Sequence, residues 1–77
     1  MRTIDSDWPA QLETCQIRIA ELEAGIASQK HKIQHLSDRG LDAAFAQRVL
    51  VVMEQSLERE QSHKHLIETR IADRRAI

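Results

Sequence analysis

Four histidines and one cysteine are the residues whose spacing bears first on reactive or metal-binding chemistry. His31 and His35 stand four apart. On a helix that spacing puts both rings on one face, where they could hold one metal ion between them. No further histidine follows at a matching interval, and the run is not the H-E-x-x-H of helical zinc sites. The pair therefore reads as solvated surface. His63 and His65 are two apart and point to different sides of a helix. Cys15 is the one cysteine, so neither an internal disulfide nor a cysteine-based zinc site is expected, and a reducing, cytoplasmic setting is the natural reading. A reactive thiol would need exposure and nearby positive charge. Cys15 falls instead in an apolar stripe, where it reads as a small packer. Glu60 and Lys64, at i and i+4 with the acid first, make a favourable pair along a helix. There is no phosphate-cradling glycine loop, no Ser/His/Asp set and no convergent carboxylate pair. The sequence thus predicts no enzyme, no catalytic residue, no cofactor and no metal.

The elements holding these residues are helical. The chain has 77 residues, one proline, two glycines, one phenylalanine and one tryptophan. That is room for a single domain over residues 1–77, too short to bury a generous core by itself. Residues 1–7 read as a polar lead-in rather than a signal peptide. Ser6-Asp7-Trp8-Pro9 has the residue types of a helix start. From Trp8 the apolar positions step by four and three through Leu12, Cys15, Ile19, Leu22 and Ile26. Polar Gln29 follows, then Ile33 and Leu36. This heptad seam predicts a first helix over 8–39. Gly25 lies beside the seam, where it would admit a close neighbour at a propensity cost of about 1 kcal/mol.

Asp38-Arg39-Gly40-Leu41 predicts a stop. With Gly40 in the left-handed position after the helix, Leu36 and Leu41 take the paired positions of a Schellman motif. Residues 40–42 form the turn, and Asp42 caps a second helix over 43–74. So short a turn makes the helices antiparallel. The seam on the second helix is Ala43, Ala46, Leu50, Met53 and Leu57, interrupted by Glu60 and Lys64, then Ile67 and Ile71. This register sets Ile26 against Met53, Leu22 against Leu57, Leu12 against Ile67 and Trp8 beside Ile71. It also lays Glu13, Glu21 and Glu23 near Lys64, Arg70, Arg74 and Arg75. The polar layers at Gln29 and at Glu60/Lys64 are candidate register-setting devices.

The second helix carries a further apolar stripe: Leu41, Phe45, Val49 and Val52, continuing through Ser56 to His63 and Leu66. It lies roughly 110° round from the seam. A helix in a two-helix hairpin needs one stripe, whereas a helix in a four-helix bundle needs two. The expected fold is an all-α, coiled-coil-like antiparallel hairpin that dimerises into a four-helix bundle. The expected function is a homodimeric interaction module, an adaptor or regulator; pH tuning of assembly by His63 in the stripe is only a minor alternative to a plain surface histidine. The alternative is a heteromeric module whose stripe a different protein covers.

Nucleic acid is a weaker expectation. Net charge is -1, and phosphate binding wants a basic excess. The small basic groups, Lys30, His31, Lys32, His35 and Arg39 near the turn and Arg70, Arg74 and Arg75 at the end, read as solvated faces. No apolar run approaches the ~20 residues of a membrane span.

The run Ile26-x-x-Gln29-x-x-x-Ile33-x-x-Leu36-x-x-x-Gly40-x-Asp42-x-x-x-Ala46-x-x-x-Leu50-x-x-Met53-x-x-x-Leu57 resembles a pattern in small, uncharacterised alphaproteobacterial helical-hairpin proteins. Its distinctive core is Gln29 with Gly40-x-Asp42. Ala43 stands where those proteins often have threonine. The resemblance implies a helical hairpin and no activity.

Overall fold

The computed structural model describes residues 8–76, with side chains through residue 74. The 1–7 lead-in with its Ser6-Asp7 cap, and the Arg75 side chain, lie outside the described residues. Two helices, α1 (Trp8–Asp38) and α2 (Ala44–Ala76), account for the described chain apart from the turn between them. Each is within two residues of the span expected at either end. They fold back on each other as a rod 59 Å long and 16 by 15 Å across. Neither is long and apolar enough to cross a membrane.

The turn is built from hydrogen bonds that the residue types demand. Gly40 adopts φ +72°, a conformation an L side chain resists. That lets Leu41 N–H donate to the Leu36 carbonyl at 2.9 Å and Gly40 N–H to the Ser37 carbonyl at 3.0 Å, the two bonds of a Schellman motif. The Asp42 Oδ1 then accepts from Ala44 N–H at 2.9 Å, satisfying one of the orphan donors at the start of α2.

Packing follows the heptad positions. Cys15, Ile26, Ala46 and Ile67 are buried. Trp8, Leu12, Ile19, Leu22, Ile33 and Leu36 on α1 are half-buried, as are Leu50, Met53, Leu57 and Ile71 on α2. Two helices meeting along one line can cover the centre of that line but not its flanks, so half-burial is the normal condition here. Two features set how closely the helices approach and in what register. Near the middle, a Cβ on Gly25 would stand 2.9 Å from the Met53 methyl, so the missing side chain is where that methyl packs. Nearer the turn, the Gln29 side-chain amide donates to the Ala46 carbonyl at 2.9 Å. A slip of α2 by one turn would break that bond and bury the amide without a partner. At the open end, the Arg70 guanidinium lies 5.5 Å from the centre of the Trp8 ring, a cation–π contact.

The glycines are expected to respond oppositely. Gly40→Ala should cost about 1 kcal/mol or more, because alanine must hold the left-handed turn. Gly25→Ala should be neutral to stabilising by up to ~1 kcal/mol: helix propensity improves, and the displaced atom is the far end of a flexible methionine. Urea unfolding followed by circular dichroism measures both.

Candidate functional site

The grouping with chemical potential lies across the seam in the half of the hairpin away from the turn. Glu60 and His63, three apart on α2, share one face, and Cys15 approaches them from α1. The Cys15 Sγ lies 3.4 Å from His63 Nδ1. A sulfur, a carboxylate oxygen and an imidazole nitrogen from the three residues all fall within 4.8 Å of one another. The Glu60 Oε1 is buried and has no partner within hydrogen-bond geometry. The other oxygen, Oε2, stands 3.7 Å from Arg18 Nη1 in an ion pair across the helices. Arg18 is largely exposed, so this pair adds little stability. An open cleft lined by Ala10, Gln11, Thr14 and Arg18 leads to Cys15 and His63.

The thiol is held in its neutral form. Burial pushes the Cys15 pKa above its ordinary value, the negative charge of Glu60 and a hydrogen bond from the thiol to it add to the rise, and Arg18 opposes it. Side chains cover Cys15 almost completely, yet in a rod only 15–16 Å across, water is never more than a few atoms away. The sulfur is therefore covered rather than deeply interred.

Three sequence readings are revised here. Glu60 takes Arg18 of α1 as its ion partner, not Lys64 along its own helix. His63, exposed and on the same line of α2 as Phe45, also turns one ring nitrogen to Cys15 at the edge of the seam, a contact that its place in the outer stripe did not predict. The packing position of Cys15 turns out to be charged as well: Glu60 and Arg18 both act on the thiol. His31 and His35 are exposed, and among the described residues no third donor joins them.

The second feature is the outer face of α2. Phe45, Val52 and Leu66 are 73%, 58% and 49% exposed, and Leu41, in the turn just before α2, is 52% exposed. Val49 and Ser56, from the same expected stripe, are half-buried and border the seam. Val51, 51% exposed, and Ile17 of α1, 53% exposed, lie on other faces as isolated apolar residues.

The class defined by these elements is an all-helical antiparallel hairpin with one interhelical polar cluster and one uncovered apolar face. No family model, curated protein or solved structure matches the chain.

The raised thiol pKa has a signed consequence. Its stabilising contribution is complete below the ordinary thiol range and is lost as pH rises through the raised folded-state value. Stability to urea should therefore fall as the solution becomes alkaline, and Cys15→Ala should flatten that part of the profile. In the native chain, iodoacetamide should modify Cys15 more slowly, by on the order of tenfold, than in denatured protein at the same pH.

Proposed function

We propose that this chain is a non-enzymatic, homodimeric interaction module, an adaptor or regulator, that assembles through the outer face of α2 into a four-helix bundle. The observation that carries the reading is the exposure of Phe45, Val52 and Leu66 along one face of α2, with Leu41 exposed in the turn just before it. Fully burying a side chain of this kind is worth about 1.5–3 kcal/mol. A chain with so thin a core gains proportionately more from it than a large domain does. Phe45, Val52 and Leu66 recur at intervals of seven and fourteen residues, as a helix–helix interface requires. A second copy presents the same stripe, so a two-fold pairing satisfies both copies at once.

Arg59 shares this heptad position between Val52 and Leu66. Its aliphatic stem extends the apolar surface while its charged end reaches the rim. The non-enzymatic part of the reading rests on shape: among the described residues, the two grooves along the far half of the seam are open, unlike the enclosed pockets that exclude water from a reaction. The Gln29 and Gly40-x-Asp42 pattern fits the proposal that the chain is one of the small alphaproteobacterial hairpins it resembles, and we place it in the cytoplasm.

Sedimentation equilibrium at micromolar concentration should return twice the chain mass. Val52→Glu should return the single-chain mass, with most of the helical signal kept, because residue 52 makes no part of the intrachain seam. A wild-type monomer with full helicity would contradict the homodimer.

A further inference from the structure

We propose that Cys15, Glu60 and His63 bind one borderline-soft divalent transition-metal ion, with Zn²⁺ as the representative, and that this ion clips α1 to α2. The site is complete within one chain, so the proposal does not depend on how copies of the chain assemble.

Geometry comes first. In a tetrahedral site with metal–sulfur and metal–nitrogen bonds of about 2.3 and 2.0 Å, the sulfur–nitrogen edge is about 3.5 Å. The Sγ···Nδ1 separation is 3.4 Å. The carboxylate is already within 4.8 Å of both donors, and rotation about the soft terminal torsion of Glu60 closes the remaining edges. The buried Glu60 Oε1 is the second observation: it has no partner within hydrogen-bond geometry, and, Arg18 aside, the donor the carboxylate does interact with is the Cys15 thiol, a weak one. A buried carboxylate oxygen so poorly satisfied is costly, and a cation between the three residues removes that cost. Arg18 on Oε2 would orient the carboxylate from outside, as outer partners of metal ligands do.

The donor set decides the class of ion. One sulfur, one nitrogen and one oxygen suit Zn²⁺, Co²⁺ or Ni²⁺. Mg²⁺ and Ca²⁺ want a shell of oxygens, which this site does not offer. The fourth position faces the cleft bordered by Thr14 and Gln11, where water can occupy it. Binding balances as thiol plus M²⁺ giving metal-bound thiolate plus one proton released to solvent, with Glu60 already ionised and His63 neutral. Two negative ligands then neutralise the ion. Because Cys15 and His63 are 48 residues apart in sequence, the bond closes nearly the whole hairpin into a loop.

The test is titration of Co²⁺ into the reduced, chelator-stripped full-length chain. A thiolate-to-cobalt charge-transfer band should saturate at about one equivalent, release about one proton per ion and disappear on adding Zn²⁺ but not Mg²⁺. Cys15→Ser should abolish the band. His63→Gln and Glu60→Gln should each weaken cobalt affinity by about tenfold or more while circular dichroism shows the helices intact. The double variant His31→Gln/His35→Gln should leave the titration unchanged. The proposal is overturned if no charge-transfer band forms at millimolar Co²⁺, if His63→Gln or Glu60→Gln leaves affinity unaltered, or if the His31/His35 variant removes binding.

Discussion

A single line of contact between two helices holds this molecule together, and its register decides everything else. The register has few determinants. Gly40 turns the chain through a conformation other residues avoid. Gln29 anchors α1 to the Ala46 carbonyl just beyond the turn. Gly25 gives the Met53 methyl its place. With those three points set, side chains far from the turn have no freedom over which neighbours they meet. Cys15 arrives beside Glu60 and His63 because the helices are antiparallel and closed at one end.

The same seam explains why α2 has two characters. A heptad seam has a period of 3.5 residues and a helix 3.6, so the seam winds by about 20° per heptad round a straight helix. Phe45 and His63 are eighteen residues apart in the sequence, about five full turns, and so lie on one line along α2. Between them the seam rotates by roughly 50°, toward that line. At Phe45 the line faces solvent. At His63 it has become the edge of the interhelical contact. An apolar residue and a ligand-type residue can thus share one azimuth and serve different surfaces.

The hairpin was legible in the residues themselves. The 4–3 stepping from Trp8, the stop at Gly40 with Leu36 and Leu41 around it, and the Asp42 cap all have local causes, and local causes show in a single sequence. The Cys15–Glu60–His63 grouping was not legible. Cys15 read as a packing residue, Glu60 as half of an ion pair with Lys64, and His63 as part of the outer stripe. Each reading was reasonable for one helix taken alone. What joins the three is contact between helices, and no spacing along the chain records it. Counting in fixed heptads also hid the rotation that carries His63 to the seam. A partial signal was available: the expected register sets Cys15 opposite the polar Glu60/Lys64 interruption, so a thiol facing charged side chains was foreseeable, though not which one.

The account joins an inner surface, where α1 and α2 of one chain meet, to an outer surface, where α2 meets a second copy. Isotope-filtered NOE spectroscopy on a mixture of labelled and unlabelled chains separates the two directly. The expected result is contacts from Cys15 to His63 and from Gln29 to Ala46 within one chain only, with contacts from Phe45 and Val52 between chains. Cys15–His63 contacts between chains would mean that the helices exchange partners, and the intrachain hairpin would be wrong. Phe45 and Val52 with no interchain contacts would leave the outer face without the occupant assigned to it.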